Sequence, residues 1–148
     1  MKIANKKAFY DFEIRERFEA GINLTGAEVK AVRLGHADLT GSFVRITGTE
    51  AYLVNAKVFP YKYARPDGYD EKRTRKLLLH KREIFSLKSK MEGEKLTIVP
   101  ISVYTTRHYI KAELALAKPK KQFDKREALK RRERDREVEA ALKANQRG

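Results

Sequence analysis

From Tyr10 to Ala20 the chain alternates: Tyr10, Phe12, Ile14, Phe18 and Ala20 occupy even positions, and Asp11, Glu13, Arg15, Arg17 and Glu19 odd ones. A period of two is that of a strand with one face against a core and the other in water. Glu16 alone interrupts the apolar series, so it marks either a bulge or the point where the strand leaves the core. A helix follows. Thr25-Gly26-Ala27-Glu28 has the form of a capping box, Thr25 as N-cap and Glu28 reaching back from the third helical position. Val29 and Val32, three apart, are expected on the core side. Gly35 falls where a left-handed C-cap would stand. Thr25–Gly35 is thus predicted as a two-turn helix that displays Lys30 and Arg33 away from Val29 and Val32.

Phe43–Thr47 and Ala51–Phe59 are predicted strands about a turn at Gly48-Thr49-Glu50, with Pro60 ending the second. Tyr61–Glu71, with Pro66, Asp67 and Gly68, is predicted as a loop. A helix is expected to begin near His80 or Lys81, to turn Ile84, Leu87 and Met91 to one side, and to stop near Gly93. Leu96–Tyr104 and Tyr109–Leu116 are the last strands, joined through Thr105–His108. In the second of them Ile110, Ala112, Leu114 and Leu116 alternate with Tyr109, Lys111, Glu113 and Ala115. Several short strands with few helices predict a mainly β chain, a small antiparallel barrel with two or three flanking helices.

The pattern changes at Lys118. From there to Gly148 the chain holds 12 Lys and Arg, 6 Asp and Glu, and no glycine before the last residue. Helix formers abound, yet Lys130–Glu137 has no apolar residue to bury. Such a segment is expected to be disordered alone, or helical against a polyanion. The expected organisation is a domain over 1–122 and a basic tail over 123–148.

Charge sharpens this picture. Against 20 Asp and Glu stand 34 Lys and Arg, a net charge of +14 in 148 residues. That excess favours polyanions, because each phosphate contact releases condensed counterions. Nucleic acid is the expected partner ahead of an anionic membrane or an acidic protein. The chain lacks cysteine, which excludes disulfides, thiolate metal sites and cysteine nucleophiles and suits a reducing cytoplasm. Met1–Ala8 is polar and basic with no signal-like apolar run after it, and no stretch approaches the ~18 apolar residues of a membrane span.

Catalytic chemistry finds no constellation. His36, His80 and His108 are scattered without metal-ligand spacing. There is no glycine-rich phosphate loop and no Gly-x-Ser-x-Gly elbow. The run Lys72–Arg82 has six basic residues, no acidic one, and Leu77-Leu78-Leu79 within it. It is either a solvated charged face or, as the interleaved leucines favour, a core-anchored strip offering cations to phosphates. Tyr61, Tyr63 and Tyr69 either stack on bases or cover a barrel edge. Glu28 is fully explained as a cap. A basic ribosomal structural protein that binds rRNA is the competing class, ahead of a nucleic-acid-modifying enzyme.

Four blocks occur in order: Asn5-Lys6-Lys7-Ala8; Gly26 to Arg33, GAEVKAVR; Arg73 to Ile84, RTRKLLLHKREI; and Leu116 to Arg126, LAKPKKQFDKR. Together they closely resemble the SsrA-binding protein (small protein B) family, over nearly the whole chain. The resemblance implies an oligonucleotide-binding-like (OB-like) antiparallel barrel, no catalytic activity and no cofactor. It also implies a monomer that binds the tRNA-like domain of transfer-messenger RNA and carries it to stalled ribosomes, where it meets small-subunit rRNA. On that reading the RNA-binding face comprises Asn5, Glu28, Lys76, Leu77, Leu78, Leu79 and His80, with the family's Lys-Gly-Lys-Lys element on Lys118, Lys120 and Lys121. Lys30, Arg33 and Lys81, cations within the same blocks, are expected to bind the RNA with them. The resemblance places Phe123, Asp124, Lys125 and Arg126 in the ribosomal decoding centre; Glu127–Lys143, rich in helix formers without a packing face, is expected to become helical in the empty mRNA channel. Pro119 stands where the family usually has glycine, which removes a backbone N–H and leaves open the path from barrel to tail.

Overall fold

The computed structural model describes residues 1–62 and 68–147, apart from the side chains of 122–124, 128 and 144–147. The chain opens with a short strand, β1 (Lys2–Ala4), and a six-residue helix, α1 (Lys6–Asp11), neither of which the period-two pattern discloses. Asn5 caps α1, its Oδ1 accepting from the Ala8 amide at 3.3 Å. The long strand β2 (Phe12–Ile22) therefore starts at Phe12 and not at Tyr10.

The bulge falls beside Glu16. Against β9 (Ile110–Pro119), Ile14 pairs with Ala117 and Glu16 with Leu116, leaving Arg15 as the extra residue. One extra residue turns the faces over. Phe12 and Ile14 accordingly pack with Ala8 of α1 and with Val99, Ile101, Ala115 and Ala117, whereas Phe18 and Ala20 join the main core. The expectation of one wet face is corrected here: α1 covers the outer side of these strands, and Ala115 is buried instead of solvated.

Helix α2 (Gly26–Arg33) forms on its capping box, with Gly35 at φ +80° after it. Its core face consists of Glu28, Ala31 and Val32; Val29 is only half-buried. β3 (Ala37–Asp38) pairs with β6 (Lys57–Val58). β4 (Phe43–Thr47) and β5 (Glu50–Val54) form the expected hairpin, Thr47 opposite Glu50. The strand expected to reach Phe59 breaks instead at Asn55, whose φ of 66° is a left-handed conformation that asparagine tolerates. Within the cationic run lies a strand that the sequence reading did not foresee, β7 (Arg75–Leu78). α3 (Lys81–Glu94) ends on a left-handed Lys95, two residues beyond the expected stop at Gly93. β8 (Thr97–Thr105), β9 and α4 (Gln122–Arg147) complete the chain.

The sheet closes on itself. β8, β4, β5, β7, β2 and β9 are hydrogen-bonded in that order, β9 pairs again with β8, and β1 adds to β8; every pairing is antiparallel. The fold is mainly β, with four helices among the described residues. Inside the ring sit Val44, Leu53, Leu77, Ile98, Leu114 and Leu116, joined by Ala31 and Val32 of α2 and Ile84 and Leu87 of α3. The β2–β7 seam is short, Gly21 opposite Leu78 and Ile22 opposite Leu77. A Cβ on Gly21 would lie 3.2 Å from that of Leu78, so glycine permits the close approach.

Candidate nucleic-acid interface

The interface is organised from the inside. β7 alternates, Arg75 and Leu77 inward, Lys76 and Leu78 outward. An arginine facing a core is tolerable only if its donors are met, and those of Arg75 are. Its Nε and Nη2 reach Glu28 Oε2 at 2.8 and 2.5 Å, and its Nη1 reaches the carbonyls of Ala56 and Arg73 at 2.9 and 2.8 Å. Glu28 Oε1 takes the Thr25 amide at 2.9 Å and Arg73 Nη2 at 2.5 Å. The Tyr69 hydroxyl lies 3.1 Å from Glu28 Oε2 and 2.9 Å from the Val58 carbonyl. Burial by itself raises the Glu28 carboxyl; the Thr25 amide and the two guanidiniums outweigh it and hold the pKa down to about 2. Burial and the Glu28 carboxylate push the Tyr69 hydroxyl up.

This cluster ties α2 to β7 and to the segment before it, and it settles which cations face water. Arg75 is fully buried, while the Arg73 side chain, fixed to Glu28 by one nitrogen, is 41% exposed. Neither arginine was foreseen as a structural element, because the only signal was an alternation hidden among like charges. Tyr69 is occupied within the cluster, and Tyr61 lies under Lys30, whose Nζ is 5.4 Å from the ring centre. Tyr63 lies outside the described residues.

The expected site residues separate into three groups. Lys76, Leu77, Leu78, Leu79, His80 and Lys81 come together on one cleft of about 510 Å³, shared with Glu19, Glu50 and Lys111. Within it Leu78 and His80 are exposed, Leu77 is core, Leu79 is half-buried, and Lys76 pairs with Glu50 at 3.2 Å. The second group is interior. Asn5 and Glu28 are 3% and 1% exposed, and the Asn5 amide donates to the carbonyls of Leu39 and Pro100 at 3.2 and 2.8 Å. The third group is peripheral. Lys30 and Arg33 are exposed on α2, and Arg33 donates to the Thr106 carbonyl at 2.9 Å. Lys118 and Lys121 are exposed where β9 gives way to α4.

Pro119 interrupts nothing there. It is the last residue of β9, opposite Phe12, and the next amide, Lys120, donates to the Asp11 carbonyl at 2.9 Å. The Lys120 ammonium donates to the Phe9 carbonyl at 3.0 Å, and Lys125 lies 3.6 Å from the Asp11 carboxylate. Both contacts set the base of α4 against α1. Arg126 is exposed; the side chains of Phe123 and Asp124 lie outside the described residues.

A strongly basic, mainly β protein, its cations held outside a closed ring of strands and along an exposed C-terminal helix, is the class that fold and site define. The SmpB family model, "SmpB protein", matches residues 2–144. An SsrA-binding protein of a Sulfurihydrogenibium species is 50% identical over 139 residues, which covers 94% of this chain and 91% of that protein. One from Wolinella succinogenes is 51% identical over 141 residues, 94% of this chain and 93% of that protein. A solved structure described as "tmRNA-SmpB: a journey to the center of the bacterial ribosome" superposes with a TM-score of 0.69 at 42% identity, over 86% of this chain and 94% of that one. The chain belongs to the SmpB family, the SsrA-binding proteins, as its motif blocks led us to expect.

Proposed function

We propose that the chain binds the tRNA-like domain of transfer-messenger RNA and delivers it to stalled ribosomes for trans-translation, releasing the ribosome and tagging the stalled peptide. The observation that carries this is its likeness, at 42% identity over 86% of its length, to a tmRNA–SmpB structure of the bacterial ribosome. The reading of a ribosomal structural protein gains nothing from that likeness. The chain acts as an RNA-binding factor and not as a catalyst, works as a monomer in the cytoplasm, and needs no cofactor.

The closed ring supports reading residues 1–122 as an OB-like barrel and 123–148 as a separate tail. On the barrel, the cleft from Lys76 to Lys81 docks the tRNA-like RNA, with Leu78 and His80 against it and Lys30, Arg33, Lys118, Lys120 and Lys121 extending the cationic border. Asn5, Glu28 and Leu77 serve this surface from within, by fixing α1, β7 and the Arg73 guanidinium. In the tail, Phe123, Asp124, Lys125 and Arg126 enter the decoding centre, and the Glu127–Lys143 part of α4 occupies the empty mRNA channel. A gel shift against full transfer-messenger RNA, with tRNA as competitor and salt varied, tests the proposal. Retention of transfer-messenger RNA against excess tRNA is the expected result, with affinity falling as salt rises; indifference between the two RNAs would sink it.

A further inference from the structure

Helix α3 carries apolar residues on two sides. Ile84 and Leu87 are buried, but Phe85 is 74% exposed, more than any other large hydrophobic residue among those described. A single exposed apolar side chain is ordinary; the setting of this one is not. Lys81, Phe85, Lys88 and Glu92 are spaced by four, three and four residues, one stripe of a helix. The stripe walls a cleft of about 620 Å³ whose other side is the Gly48-Thr49 turn. Among the described residues neither Lys81 nor Lys88 has an ion pair, whereas Lys76, Lys90 and Lys125 do. A Cβ at Gly48 would meet nothing within 4 Å, so the turn leaves the mouth open. This cleft meets the one at Lys76–Lys81 through Thr49, Lys81 and Ile84.

We propose that this groove holds one unpaired nucleotide of RNA, with Phe85 stacked on the base and Lys81 and Lys88 on the flanking phosphates. The inference rests on the RNA-binding reading above and adds to it a second, single-stranded contact. Charge complementarity favours RNA over protein here. An aromatic face between two uncommitted ammonium groups matches a base between two phosphates, while lysine is depleted from the contacts proteins make with one another. Glu92, the one acid lining the cleft, lies at its far end, a full turn beyond Lys88.

The chain has no tryptophan, so F85W introduces a single indole reporter while keeping an aromatic face. The probes are a twelve-nucleotide oligouridylate, an RNA duplex of equal length, and transfer-messenger RNA. Emission from F85W should be quenched saturably by the oligouridylate and not by the duplex. F85A should bind the oligouridylate about tenfold more weakly than wild type, with S86A, one residue on and outside the cleft, unchanged. Equal affinity of F85A and wild type, or equal quenching by duplex and single strand, would overturn the groove. Because Phe85 is exposed, an unaltered melting curve for F85A separates lost stacking from lost fold. Wild type that fails to bind transfer-messenger RNA sinks the functional reading itself; wild type that binds it, with F85A and wild type alike on the oligouridylate, sinks only the groove.

Discussion

Glu28 is the residue on which the interface turns. It closes the α2 capping box, neutralises the buried Arg75 and holds Arg73 half in solvent. Removing its charge leaves a fully buried guanidinium without a counter-charge, which is costly by one of the few routes that produce large losses. The carboxyl is held down to about 2 from an ordinary 4.5, a difference worth on the order of 3 kcal/mol when fully expressed. Since the folded pKa is the lower one, the stabilisation is complete above about pH 4.5 and is lost as pH falls toward 2. Glu28→Gln is therefore expected to lower stability by about 3 kcal/mol at neutral pH and to flatten the acid side of the profile. Denaturant midpoints of wild type and variant between pH 7 and 2 measure both; parallel curves would mean that the carboxylate is not coupled to the arginines. Nothing local in the sequence discloses this role. The capping motif identifies Glu28 as a cap, but its arginine partner lies 47 residues away.

At the scale of elements, the legible ones were those whose polarity has a period. α2, α3 and the β4–β5 hairpin follow from spacing and caps alone, while at Glu16 the pattern allowed a bulge or an exit from the core and the pairing with β9 shows the bulge. α1 and β1 are too short to carry a period, and β7 hides its inward position behind Arg75, a residue that pattern reading assigns to water. In β9 the alternation assigns Ala115 to the solvated side because an alanine is neutral in that pattern; packing against Ala8 of α1 buries it. α4 is the converse. It extends over 26 residues, roughly 39 Å at the rise of an α-helix. None of its described side chains is buried, and only Lys125 and Glu127 are even partly covered. With no buried face among its described side chains, the helix adds little to the stability of the fold. Truncation after Gln122 should accordingly leave the thermal midpoint within about 2 °C of wild type, since under 0.5 kcal/mol is at stake. It should also spare transfer-messenger RNA affinity and abolish peptide tagging in a reconstituted translation system. Simultaneous loss of RNA binding and tagging would refute the division between the two parts.

Over the whole molecule, a net charge of +14 attracts any polyanion, so specificity must come from where the cations are held. Lys76 is anchored on a strand of the ring, whereas Lys143 is exposed on α4. Lys76→Glu is expected to weaken binding of the tRNA-like domain roughly tenfold or more, and to lower the salt slope by about 1, as befits the loss of a phosphate contact. Lys143→Glu should change binding of that domain far less. Titrations of both variants across salt concentrations decide it; equal losses would reduce the interface to general charge attraction.

The amino-acid sequence alone determined that this protein addresses a polyanion, that it is mainly β, and, through the motif blocks, to which family it belongs. Those properties are sums over composition or patterns over a few neighbouring residues, and both survive without knowledge of the fold. Which charges reach the solvent was decided only by tertiary structure. Arg75 and Lys76 are neighbours in the chain, yet the first side chain is fully buried and the second 45% exposed. The difference arises because a β-strand sends alternate side chains to opposite faces, and because Glu28 waits on a helix far back in the chain to make the inward one tolerable.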